Sequence, residues 1–427
     1  MKIPIDRFTL PNGLRVVLSE DHSNPVVAVN LWYNVGSRNE VPGKTGFAHL
    51  FEHLMFQGSQ NVPDTQHMGH IERAGGSVNG STWLDRTNYF ETVPANRLEL
   101  ALWLESDRMG FFLPAITQEK LDNQREVVKN ERRQRVDNAP YGDWDERLQA
   151  MVFPADHPYH HSVIGSMEDL DRATLDDVRE FFRTYYAPDN AVLTLCGDFD
   201  PVEARELVDR YFGPIPRGPG IPPLPGNPEI PSRIGREVRD RVEGDVALPR
   251  LYMGFRIPPY GTGEFYTADV LSGVLTTGKS SRLYRTLVRE RRLAKDVGAY
   301  AFPIVTGGAM LVISSTATPE TRPEALEAAL LAELDALRGA DELPVEIDRA
   351  VTGIEARHLI GIQQVGERAN DISMYTTRFD DPGRINTELD RYHAVTVDDV
   401  RRFVLESLVA ENRAVLTYVP RARQEAA

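Results

Sequence analysis

Residues 213–232 read Gly-Pro-Ile-Pro-Arg-Gly-Pro-Gly-Ile-Pro-Pro-Leu-Pro-Gly-Asn-Pro-Glu-Ile-Pro-Ser. Eight prolines and four glycines in twenty positions cannot continue a helix or a central strand, because proline fixes φ and lacks the N–H. The stretch lies near the middle of a 427-residue chain, a length at which a single core is outgrown. The expected organisation is a first domain over 1–212, a linker over 213–232 and a second domain over 233–427.

A linker at the midpoint raises the question of an internal repeat, and one is present. Thr174-Leu-Asp-Asp-Val-Arg opens a segment that closes on Ala191-Val-Leu-Thr. Thr396-Val-Asp-Asp-Val-Arg opens another that closes on Ala414-Val-Leu-Thr. Each reads as an N-capped amphipathic helix, a turn and a Val/Leu strand. Residues 26–35 and 250–257 read as strands near the start of the two halves. Helical stretches follow over 97–111 and 118–136, and over 280–291 and 324–338. Strands first and last with helices between predict an α+β fold of two related domains, each a mainly antiparallel sheet covered by helices.

Charge and cysteine content narrow the chemistry. Lys and Arg number 48 against 63 Asp and Glu, and the net of −15 argues against nucleic-acid or anionic-membrane binding and favours cationic partners. One cysteine, Cys196, excludes a disulfide framework and a Cys-rich zinc site, and its place in a Val/Leu strand reads as a small buried hydrophobe. Any transition-metal site must therefore use His and carboxylates. No apolar run approaches the roughly 20 residues of a membrane span. Met1–Arg7 has no apolar signal core, so a cytoplasmic location is expected, or a periplasmic one if a leader was removed.

His49-Leu50-Phe51-Glu52-His53 meets that requirement. On a helix, positions i and i+4 share a face, so both imidazoles reach one ion while Glu52 leans over the same face. A catalytic zinc takes three protein ligands and a water. In the helix expected over 118–136, Leu121, Gln124, Val127, Val128 and Glu131 form an inward stripe, whereas Glu126 falls on the polar side. A carboxylate on an inward face needs a counter-charge, which makes Glu131 the third ligand of one Zn2+ per chain. Two other histidine groups read differently. His67 and His70 are expected as solvated helix-face residues, and His157, His160 and His161 as loop residues bonded to backbone or water.

The order H-x-x-E-H with a distant Glu resembles the pitrilysin (M16) family of inverzincin metallopeptidases, in its two-domain bacterial and mitochondrial-processing-peptidase-like branch. Phe47–Leu54, Val127-Val-Lys-Asn-Glu131, Gly75-Gly-Ser-Val-Asn-Gly-Ser-Thr82 and the phrases from Ser281 to Ala294 carry the resemblance. It implies a zinc endopeptidase of unfolded peptides with Glu52 as general base, and a chain that forms half of a clamshell made by two such chains. Residues 75–82 and 85–91 read as a hairpin flanking the cleft, whose edge would bind an extended peptide at Asn79, Gly80, Ser81 and Thr82.

Two departures from the family pattern stand out. A family Glu seven residues before the ligand Glu is here Gln124, an amide that would support a ligand and tune the metal less. The family's substrate-steadying Arg is matched by Arg289, but its Tyr position holds Lys295, and Tyr300 lies farther along. The expectation is a heterodimer with a related zinc-lacking subunit that supplies an Arg/Tyr pair, or otherwise a homodimer. The competing expectation is a non-catalytic scaffold subunit that keeps the fold.

Overall fold

The computed structural model describes residues 2–421. The chain divides into two compact units. The first comprises Met1–Glu131, Ser162–Pro225 and Leu359–Glu388, and the second Arg132–His161, Gly226–His358 and Leu389–Ala427. This differs from the expected split at the linker: 132–161 groups with the second unit and 359–388 with the first. Chain proximity suggested contiguous domains, whereas the segments 132–161 and 359–388 make their contacts with the unit that is not their neighbour in sequence.

The first unit is built on a six-stranded sheet of β1 (Asp6–Thr9), β2 (Arg15–Glu20), β3 (Val26–Tyr33), β4 (Ser77–Thr82), β5 (Thr87–Pro94) and β6 (Ala191–Gly197), in the order β1-β2-β6-β3-β5-β4. The second holds β7 (Val238–Gly244), β8 (Arg250–Ile257), β9 (Ala294–Phe302), β10 (Ala309–Ala317) and β11 (Arg413–Pro420), in the order β7-β11-β8-β10-β9. Each sheet has one parallel pair, β2 with β6 and β7 with β11, and is otherwise antiparallel. Apart from β1, the two orders are the same. The Ala-Val-Leu-Thr strands of the sequence repeat, β6 and β11, occupy equivalent places in them.

The helices before those strands are equivalent too. Leu175–Tyr185 and Val397–Ser407 are capped by Thr174 and Thr396, each accepting from the N–H of an Asp three residues on while that Asp accepts in return. These reciprocal bonds satisfy amides that a helix start leaves without partners.

Alternation along β3 gives the first sheet two different faces. Val27, Val29, Leu31 and Tyr33 enter the main apolar core, which also holds the helices Phe47–Leu54 (α1), Gln66–Arg73 (α2), Leu98–Phe111 (α3) and Gln118–Arg132 (α4) in part. The opposite face is covered by the helix Val365–Phe379, which packs on β3 and β6. It is tied down by Ser373 donating to Thr194 at 2.8 Å and by Arg368 donating to Asp21 at 2.8 Å. Among the described residues no helix is long and apolar enough to cross a membrane. Cys196 is buried in β6.

Loss of either Thr hydroxyl removes the acceptor of the Asp N–H and the hydroxyl's own bond to the Asp carboxylate, and leaves the backbone N–H bond to that carboxylate in place. Thr174→Ala and Thr396→Ala should each lower stability by about 1 kcal/mol in urea unfolding, because each cap serves one equivalent helix.

Candidate metal centre

Helix α1 starts where the backbone leaves it no choice. Gly46 has φ +82°, and a Cβ there would lie 2.5 Å from the carbonyl oxygen of Ile164. The buried Glu40 carboxylate accepts from the N–H groups of Gly46 at 2.9 Å and Ala48 at 2.7 Å, placing negative charge at the positive end of the helix. Glu40 was not legible as a functional residue, since nothing in its local sequence links it to a helix six residues away. Phe47, Ala48, Leu50, Phe51 and Leu54 are buried, and Phe51 packs against Phe112, Phe181, Phe182 and Tyr186. That leaves His49, Glu52 and His53 on the other face.

There the helix meets the end of α4. Glu131 Oε2 lies 3.7 Å from His49 Nε2 and 3.4 Å from His53 Nε2. Three ligand atoms, one from each residue, lie within 4.8 Å of one another. Two imidazole nitrogens and a carboxylate oxygen form the donor set of a three-ligand catalytic zinc site. Their side chains are 14%, 24% and 18% exposed, so solvent reaches the group. On α4, Leu121, Gln124 and Val128 are buried, as the inward stripe requires. Val127 departs from it at 40% exposure, and Glu126 pairs with Lys129 on the outer face. The helix becomes a π-helical turn over Arg133–Asp137.

Glu52 is held from the hairpin: Thr82 Oγ1 donates to Glu52 Oε2. Burial raises the Glu52 carboxyl above its usual range, against the lowering pull of that hydrogen bond, His53 and Arg86. A Cβ on Gly80 would lie 3.3 Å from Glu52 Cγ and 3.1 Å from the Phe56 ring, so glycine at position 80 lets β4 approach the acid without crowding either side chain. The expected residues of β4 thus separate by face. Gly80 and Thr82 lie against Glu52, while Asn79 is exposed and Ser81 donates to Asn88 at 2.7 Å. Strand β4 is the edge of its sheet, paired with β5 alone. Gln124 is buried two turns before Glu131. Arg289, Lys295 and Tyr300 all belong to the second unit and are exposed there.

His67 corrects the sequence expectation. It is buried rather than solvated, with Nε2 at 3.2 Å from Glu91 and 3.6 Å from Glu105. Arg108 is bonded to Glu105 and sits over the Tyr89 ring at 4.1 Å. The alternation of β5 and the turn of α3 aim both acids inward, a convergence invisible to local spacing. His67, Glu91 and Glu105 also have metal-compatible spacing, but the Arg108 guanidinium already supplies the cation. Burial would raise Glu105, yet Arg108 pulls it well below the carboxylate range. Burial and the Glu105 charge push Glu91 well above it, and burial lowers His67. Arg108 and Glu105 thus form the ion pair of the cluster, while burial disfavours charge on both Glu91 and His67. Elsewhere, in the second unit, His157 accepts from the Tyr159 N–H at 3.1 Å and His160 bonds to the Phe153 carbonyl, as expected for the loop histidines.

Comparison with known proteins places this geometry in a family. A family model described as Insulinase (Peptidase family M16) matches residues 15–156, and one described as Peptidase M16 inactive domain matches 172–353. Zinc protease PqqE of Helicobacter pylori is 31% identical over 382 residues, spanning 88% of this chain and 84% of that protein. The chain belongs to peptidase family M16. A second relative, the uncharacterized zinc protease YmxG of Bacillus subtilis, is 27% identical over 312 residues, or 73% of this chain and 74% of that one. The crystal structure of a protease from Helicobacter pylori matches with a TM-score of 0.91 at 28% identity, covering 98% of this chain and all (100%) of that chain. His49, Glu52, His53 and Glu131 all fall in the segment matched by the Insulinase model.

The ion pair behind the M16 motif sets the expectation for its variants. Arg108→Met should cost about 3–5 kcal/mol in urea unfolding, by leaving Glu105 charged and buried. Glu91→Gln should cost less than about 1 kcal/mol, because burial already disfavours the charged form of the carboxyl that the amide replaces.

Proposed function

We propose that this chain is a zinc-dependent endopeptidase of unfolded peptides. The observation that supports it is the convergence of His49 Nε2, His53 Nε2 and Glu131 Oε2 beside a half-buried Glu52 held by Thr82. One zinc per chain, held by those three residues, would polarise the scissile carbonyl and acidify a water. The chain's own residues do the rest. Thr82 occupies Glu52 Oε2, which leaves Oε1 to take a proton from the attacking water and pass it to the departing amine nitrogen. The unpaired edge of β4 binds the peptide by main-chain hydrogen bonds, which selects extended, unfolded chains. Gln124, buried on the same helix as Glu131, supports that ligand as a hydrogen-bonding amide.

Because Lys295 stands where the family has Tyr, we also propose that the working enzyme is a heterodimer whose zinc-lacking partner brings the Arg/Tyr pair. A purified chain with full activity as a homodimer would remove the need for that partner.

Glu52→Gln should retain stoichiometric zinc and lower cleavage of a quenched peptide by on the order of 10²–10⁴-fold. His53→Ala and Glu131→Gln should lose the metal by elemental analysis. A chelator should stop cleavage by the wild type, and added zinc should restore it. A wild-type chain that binds no zinc would leave only a scaffold role.

A further inference from the structure

The sheet face turned away from the metal centre carries a cavity of about 630 Å³ within the first unit. Ser81, Arg86, Phe90, Asn30, Gln364 and Asn370 are among its walls. One wall is the edge strand itself. Alternation along β4 turns Gly80 and Thr82 toward Glu52, and Ser77 and Ser81 toward the cavity. A peptide added to that edge must alternate in the same way, so every second side chain is presented to the cavity side.

Arg86 gives the cavity its character. Its Nη1 donates to the Ser81 carbonyl at 2.9 Å, to Asn88 Oδ1 at 2.8 Å and to Ser81 Oγ, all neutral acceptors. Among the described residues no carboxylate lies within ion-pair distance of Arg86, and Nε and Nη2 have no hydrogen-bond acceptor. Nearby Asp85 is engaged by Arg38 at 3.2 Å and Arg378 at 3.6 Å. Burial, followed by the charge of Arg378, lowers Arg86 to about 10, so it stays cationic at neutral pH. The one carboxylate lining the cavity, Glu367, is exposed. A half-buried guanidinium lying 5.2 Å from the Trp32 ring centre, with Nε and Nη2 not bonded to protein acceptors, is an incomplete carboxylate site, and Asn30 and Asn370 add neutral amides.

We propose that this cavity is a specificity pocket that selects acidic side chains of the bound peptide, carboxylates ahead of carboxamides. The proposal rests on edge-strand peptide binding as proposed above. It runs opposite to the expectation from net charge, which favours cationic partners, because Arg86 lines the cavity, whereas the net charge is a property of the whole chain and Glu52 and Asp85 act on Arg86 without pairing with it.

The test uses the full chain and a series of otherwise neutral peptides in which a single Glu, Gln or Lys is moved through every position. Cleavage should favour Glu over Gln over Lys with a period of two residues, by roughly tenfold between Glu and Lys, and added salt should narrow the ratio. Arg86→Gln should erase the order. Gln364→Glu, whose wild-type side chain makes no hydrogen bond among the described residues, should weaken it without touching the Arg86 contacts. Cleavage without the period-two order overturns the pocket and leaves the hydrolytic reading intact. If nothing is cleaved, fluorescence anisotropy with the same peptides decides. Affinity in the same order supports the pocket while sinking hydrolysis, and equal affinities overturn the pocket as well.

Discussion

A helix of eight residues cannot hold itself in water, yet α1 must keep His49 and His53 within a few ångströms of Glu131. Its fixation comes from outside: the Glu40 carboxylate at its first amides, and the aromatic packing around Phe51. The two faces of α1 are thereby assigned. Apolar residues bind it into the core, so its three polar residues must share the remaining surface. The same packing brings β4 against Glu52, where glycine at position 80 sets the distance of approach.

The clustering of His49, His53 and Glu131 was legible because helical period alone puts positions 49 and 53 on one face, and because Glu131 extends an apolar stripe. Even there, Val127 shows the limit of period reasoning, since it falls near the stripe but faces solvent. The repeat was legible from Thr174 and Thr396, whose capping chemistry is local. What could not be read depends on contacts distant in sequence. His67 lies on the apolar side of its helix only because Glu91 and Glu105 come to meet it. Arg86 looks like an ordinary turn residue until the helix Val365–Phe379 closes over the same sheet face.

Duplication gives the two units a common strand order and different chemistry. After β3 the chain turns into α1 with its His and Glu; after β8 it turns into the helix Gly263–Thr276, whose interior is mostly apolar. Within that helix Asp269 is raised by burial and bonded to Tyr392 at 2.9 Å. One scaffold thus supports either an open ligand face or a closed core, according to which side chains the first helix carries.

The segment 359–388, which completes the first unit, is synthesised after most of the second. While a nascent chain lengthens, the face of β3 and β6 that Ser373 and Arg368 will later anchor has no cover. Ala28 and Trp32, both buried on β3 in the finished protein, stay open to water until that late helix arrives. The amino-terminal unit therefore cannot reach its final state as it leaves the ribosome. Its maturation waits on the carboxy-terminal quarter of the chain, and a truncated product would carry a bare sheet that invites chaperones and proteases.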